Sequence, residues 1–145
     1  MPSQIHGTCV ALGDAGVVLR GPPGSGKSDL ALRLIDGGAR LVADDRVVLE
    51  AAADGLTASA PPPITGMIEV HGLGLARVPS LERARVAVVI DLVAAAEIER
   101  LPEPATCELL GVSLLHFRLD PFAASACAKV RLAAEAATRD ILVQP

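Results

Sequence analysis

Aromatic residues are almost missing: two Phe, no Tyr and no Trp among 145 residues. A strand-binding platform stacks successive bases on several aromatic faces, so that function is nearly excluded. Excess positive charge is lacking as well. Thirteen Lys and Arg stand against 17 Asp and Glu, a net charge of -4 at pH 7. That balance argues against a nucleic-acid surface and against a polybasic membrane patch. There is no long hydrophobic run, despite a mean hydropathy of +0.46. The longest uncharged stretch, Gly55 to Ile68, is interrupted by Pro61, Pro62 and Pro63, and is too short and broken to span a bilayer. No basic segment precedes an apolar run near Met1, so no secretion signal is read. Cys9, Cys107 and Cys127 are scattered, odd in number and without metal-ligand spacing. They fit a reducing cytoplasm better than a disulfide framework.

What is present is a chain that is 51% hydrophobic and of a length suited to one domain with one core, residues 1–145. Ile5 to Leu12, the turn Gly13-Asp14-Ala15-Gly16 and Val17-Val18-Leu19 predict strand, turn and strand. After a glycine-rich loop, Leu30, Leu34 and Ile35 mark one helix face, closed by Gly37-Gly38. Leu41-Val42-Ala43 and Val47-Val48-Leu49 predict strand on either side of Asp44-Asp45-Arg46, and Val86 to Leu92 a short buried strand. Alanines and leucines from Pro121 to Arg139 predict a final helix, with Pro121 in its first turn. The pattern is α/β, with a mixed sheet and hairpins on one side. The Pro/Gly-rich segment Thr57 to Met67 is expected to be flexible, closing over a ligand or receiving a partner. His116, between Leu115 and Phe117, is expected to be structural, and Lys129 and Arg131 to be solvated.

Gly21-Pro22-Pro23-Gly24-Ser25-Gly26-Lys27-Ser28 satisfies G-x-x-x-x-G-K-S without a gap. Glycines let the backbone wrap so that several N–H groups face one anion, and the following helix adds its positive end. Lys27 reaches the outer phosphates and the Ser28 hydroxyl suits magnesium. A strand entering and a helix leaving are the context this motif requires, which weighs against a chance surface turn. An acid must hold metal or accept a proton nearby, and Asp44 and Asp45 are the candidates. Neighbouring side chains on a regular strand point to opposite faces, so both serve one site only if the strand breaks there.

These residues resemble the HPr kinase/phosphorylase family, in its catalytic domain with the PEP carboxykinase-like phosphate-loop fold. Four stretches carry the resemblance in family order: His6-Gly7; the loop running into Ser28-Asp29; Leu41-Val42-Ala43-Asp44-Asp45-Arg46-Val47; and Ile68-Glu69-Val70-His71-Gly72-Leu73-Gly74-Leu75. The close match covers about Ile5 to Val78, and the chain looks like the short proteobacterial form that begins at the kinase domain. The resemblance implies a kinase that uses ATP and magnesium to phosphorylate a serine of an HPr-like phosphocarrier. Lys27 and the loop backbone would hold phosphates, Ser28 and Glu69 magnesium, with Asp44 the third candidate ligand. Asp45 would take the serine proton, with His6 assisting, and Arg100 would stabilise the transferred charge. Long family members are hexamers, so a homo-oligomer is an open expectation. His71 stands where the family has arginine, and Phe117-Arg118-Leu119-Asp120-Pro121-Phe122 replaces an arginine-rich stretch linked to phosphorolysis. The resemblance therefore supports a kinase and lends no support to the reverse reaction. From the loop alone, a nucleotide-sensing module and a small-molecule kinase remain open. With no Tyr or Trp to grip a base, similar use of ATP and GTP is expected.

Overall fold

A computed structural model describes residues 2–143. The chain opens with β1 (Ser3–His6), a single Gly7, β2 (Thr8–Leu12) and β3 (Ala15–Arg20). The β2–β3 hairpin turns on Gly13 at φ +62, a left-handed position that glycine takes without steric cost. Helix α1 (Lys27–Asp36) follows the glycine-rich loop and buries Leu30, Ala31, Leu34 and Ile35, the spacing of one helical face. It ends as the double glycine predicts. Gly38, at φ +111, donates to Ile35 O, and Ala39 donates to Leu34 O, which satisfies the last carbonyls of the helix.

Strands β4 (Arg40–Ala43), β5 (Arg46–Ala52) and β6 (Gly55–Ser59) come next, then the ribbon β7 (Met67–Val70) and β8 (Gly74–Arg77). The long strand β9 (Arg83–Leu92), the hairpin β10 (Ala105–Leu109) and β11 (Val112–Leu119), and helix α2 (Ala126–Ala136) complete the fold.

The main sheet runs β1-β5-β6-β9-β3-β2-β4. Because β1 leads directly into β2, and β4 into β5, its two ends meet and the sheet curls on itself. Strand β9 has β3 along one edge; residues 83–85 pair with β6 and Val88–Leu92 pair with β11. The strands β3, β9 and β11 are mutually parallel, so their carboxyl ends share one edge. Alternation divides the core in two. Val10, Val17 and Leu19 face α1 and α2, whereas Cys9, Ala11 and Val18 face the interior of the curl with Leu49, Leu56 and Val89.

Two expectations are corrected. Helix α2 starts at Ala126, not in a first turn at Pro121, because the Asp120 side chain accepts a hydrogen bond from Phe122 N and Asp120 O accepts one from Ala123 N, forming a turn instead. The segment Thr57–Met67 is not one flexible loop: Thr57–Ser59 pairs with both β5 and β9, and Pro62–Ile64 forms a short 3-10 turn. The strand expected at Val86–Leu92 also extends back to Arg83, where alternation replaces continuous burial.

Candidate functional site

The glycine-rich loop lies at the carboxyl end of β3, the position where open α/β sheets hold ligands. Two conformations make the loop. Gly24 and Gly26 take φ +80 and +98, and Gly21 has no room for a Cβ, which would collide with Ser25 Oγ. Ser25 N closes a turn onto Pro22 O at 3.0 Å, and Ser25 Oγ is buried without a hydrogen-bond partner among the described residues. Lys27 Nζ folds back over the loop, donating to Gly21 O at 2.6 Å and Pro22 O at 3.1 Å. An ammonium has three donors, so a third is left for an anion.

Across from the loop, the chain breaks between β4 and β5. Asp45 takes φ +68, and Arg46 N turns back to Asp44 O at 2.8 Å. That break meets the condition for both acids to serve one site: Asp44 turns inward and is 6% exposed, while Asp45 is exposed. Asp44 is the hub. Its Oδ1 accepts from Ser28 Oγ at 2.7 Å and from Thr8 Oγ1 at 3.1 Å, and its Oδ2 accepts from Glu69 N at 3.4 Å. One carboxylate thus ties together α1, β2 and β7. Thr8 also accepts from Asp45 N at 3.4 Å, so a single hydroxyl orients both acids. His6 sits opposite Arg46 in the β1–β5 register, and Gly7 N donates to Asp45 O at 3.1 Å, which sets His6 beside Asp45. Glu69 lies exposed on β7, its neighbour Ile68 buried against the core.

Six of the predicted residues therefore lie on elements that meet here, His6, Lys27, Ser28, Asp44, Asp45 and Glu69, with the Ser28 and Asp44 side chains in direct contact. Arg100 does not join them. It lies exposed in the segment between β9 and β10, lining a cleft of about 730 Å³ with Leu101, Phe117 and residues of the C-terminal segment. His71 is exposed in the turn after β7. Thr8 was not singled out from the sequence; a hydroxyl two residues after His6, at the head of an otherwise apolar strand, was the available signal.

A second polar cluster adjoins the loop. Arg20, the residue before Gly21, donates to Asp91 from Nε at 2.7 Å and from a terminal nitrogen at 3.0 Å, and His116 Nε2 lies 2.8 Å from Asp91 Oδ2. Burial opposes ionisation of Asp91, but the hydrogen bonds and charges of Arg20 and His116 outweigh it and hold the carboxyl below its ordinary value. The Arg20 guanidinium is raised in turn, first by its hydrogen bond to Asp91. His116 is structural, as expected, and Asp91 is the partner the sequence did not name. Lys129 and Arg131 are exposed on α2. All three cysteines are free; Cys9 is buried, and burial pushes its thiol up to about 12 against a smaller opposing effect from the Val17 backbone.

Comparison with known proteins agrees with this architecture. Residues 1–142 match the model of the HPr Serine kinase C-terminal domain. The HPr kinase/phosphorylase of Bordetella petrii is 32% identical over 154 residues, spanning 98% of this chain and 49% of its own length. That of Clostridium tetani is 44% identical over 79 residues, spanning 54% of this chain and 26% of its own length. The chain thus spans about half or less of the curated relatives it matches. The solved structure of the Hpr(Ser) kinase/phosphatase from Coxiella burnetii superposes with a TM-score of 0.82 at 24% identity, covering 92% of this chain and 95% of that one, a likeness of fold. With a family model matched along nearly its whole length, the chain belongs to the HPr serine kinase C-terminal domain family.

Proposed function

We propose that the chain is the catalytic part of a protein serine kinase that uses ATP and magnesium to phosphorylate an HPr-like phosphocarrier. The observation that carries this reading is the pairing at the loop: buried Asp44 holds Ser28 at 2.7 Å, while Asp45 is turned out beside His6. Lys27 and the N–H groups of residues 21–28 hold the phosphates, and the unpartnered Ser25 hydroxyl is a further donor facing into the loop's fold. Ser28, Asp44 and Glu69 would supply oxygens for the metal. Among the described residues no three His, Cys, Asp or Glu side chains gather to hold an ion unaided. Such a sparse oxygen set suits magnesium, which takes one or two carboxylates and fills its shell from phosphates and water. When bound, the metal neutralises charge on the transferred group.

Asp45 is the base. A serine hydroxyl is a weak nucleophile; as its oxygen bonds to the terminal phosphorus and the bond to the leaving diphosphate breaks, its proton passes to Asp45. His6 orients that exchange. Asp44 is committed to Ser28 and Thr8 and is poorly placed for it. The reading is confined to the forward reaction, because Phe117 to Phe122 lacks the arginine-rich stretch associated with phosphorolysis. The free thiols are in keeping with a reducing cytoplasm.

The test is phosphotransfer from ATP to an HPr-like protein from the same organism, read by intact mass with the site mapped to serine. One added phosphate per acceptor is expected. Asp45→Asn keeps the left-handed backbone, which Asn tolerates, and is expected to lower turnover by about 10²–10⁴-fold. Unchanged turnover in that variant would show that Asp45 is not the base. No phosphate on any acceptor, alongside nucleotide binding and a partner response that Lys27→Ala abolishes, would instead identify a nucleotide-binding module.

A further inference from the structure

The chain has two aromatic rings, and one of them stands at the mouth of the phosphate loop. Phe117 is half-buried, but Phe122 is 71% exposed. A Cβ placed on Gly26 would lie 3.3 Å from Phe122 Cζ, 3.3 Å from Pro121 Cγ and 3.4 Å from Phe122 Cε1. The edge of the ring therefore rests on the one loop residue whose missing side chain leaves room for it, and the remainder is open to solvent. The segment is firmly held. Asp120 Oδ1 accepts from Phe122 N at 2.9 Å, Arg33 donates to Pro121 O at 2.5 Å, and Arg33 is itself paired with Asp29 at 3.0 Å. Asp29 lies in the first turn of α1 and Arg33 in its last, so the helix that leaves the loop also holds the segment that carries the ring.

Direction adds the second argument. Helix α1 packs on β2 and β4 and against β7 on one flank, and against α2 on the other; α2 in turn covers β3, β9 and β11. Asp44 and Glu69 lie on the β7 flank, and Asp45 with His6 is at the adjoining strand break. Phe122 lies on the α2 flank, directly after β11, at the same carboxyl edge as the loop. A nucleotide laid across the loop with its terminal phosphate at the acids and its other end toward α2 would bring its base to Phe122.

We propose that Phe122 is the wall on which the nucleobase stacks. The assignment rests on the phosphate-loop reading above and adds the opposite end of the ligand to it. A flat ring accepts any base face, so the ring itself contributes affinity without choosing among purines.

The test compares ADP with inorganic triphosphate, both with magnesium, by calorimetry on wild type, Phe122→Ala and Lys27→Ala. Removal of the ring is expected to weaken ADP roughly tenfold and to leave triphosphate unchanged. Since the protein has no Trp or Tyr, Phe122→Trp provides a single emitter, expected to quench with ADP and not with triphosphate. Equal loss of both ligands in Phe122→Ala would show that the ring only shapes the loop and would overturn the proposal. So would unchanged ADP affinity with slower transfer to the acceptor protein, which would place the ring against that protein. Failure of the phosphate-loop reading has its own signature: triphosphate binding that Lys27→Ala does not alter.

Discussion

A part-buried carboxylate near the end of an apolar run must find partners or stay protonated, and Asp91 finds two. Arg20 meets it with two nitrogens and His116 with one, at the point where β3 gives way to the phosphate loop. Asp91→Asn removes the charge and leaves a part-buried guanidinium facing an amide; a stability loss of about 1–3 kcal/mol is expected, measured by thermal or denaturant unfolding. The pH dependence has a definite sign. The folded carboxyl lies below its ordinary 3.8, so its contribution is complete above that value and drains away as acid takes the pH through the lower, folded one. The gap in melting temperature between wild type and Asp91→Asn should therefore narrow on acidification below about pH 4. A gap that held constant in acid would show that the carboxylate's charge is not what stabilises this corner. The same logic of one acid with several donors governs Asp44, but there the donors come from the site itself: Ser28, Thr8 and the backbone of Glu69.

Among the elements, the loop-to-helix joint is the most constrained. Gly26 combines φ +98 with close approach of Pro121 and Phe122. Gly26→Ala must strain the backbone by roughly 1–2 kcal/mol and push the ring aside. Lower melting temperature together with weakened triphosphate binding is expected, whereas Gly24→Ala, equally left-handed but with open space around it, should lose stability with less displacement of neighbours. Why this joint was legible in the sequence, and others were not, follows from how the elements are built. The β2–β3 hairpin, α1 and its glycine stop, and the strands about Asp44-Asp45 each bury a continuous face and end on residues with special backbone needs. The ribbon β7–β8 and the hairpin β10–β11 expose much of their surface, so periodicity barely marks them. Helix α2 was overextended because alanine favours helix everywhere, while a single Asp120 side chain captures the backbone first and delays the start to Ala126. In the site, the six residues on the meeting elements were readable from motif order. Thr8, Asp91 and the placing of Phe122 were not, since each acts through a neighbour remote in sequence.

For the molecule as a whole, the scarcity of aromatics still limits how a base can be recognised. One exposed ring stacks adenine and guanine alike. ATP and GTP are expected to support phosphotransfer with turnover numbers within roughly threefold of each other under saturating conditions; a strong preference for one would require edge-specific hydrogen bonds at the α2 flank. The curl of the sheet carries a different consequence. Its seam runs through Gly7 on one side and Asp44-Asp45 on the other, and the hydroxyl and acid that meet there, Thr8 and Asp44, are 36 residues apart in the chain. Ser28 and Asp44 are 16 apart. Contacts of long separation pay more loop-closure entropy and tend to form late. The proposed base therefore depends on the closed curl: Asp45 and His6 are neighbours only because the seam joins β1 to β5. Loosening of that seam is accordingly expected to cost phosphotransfer before it costs triphosphate binding at the loop.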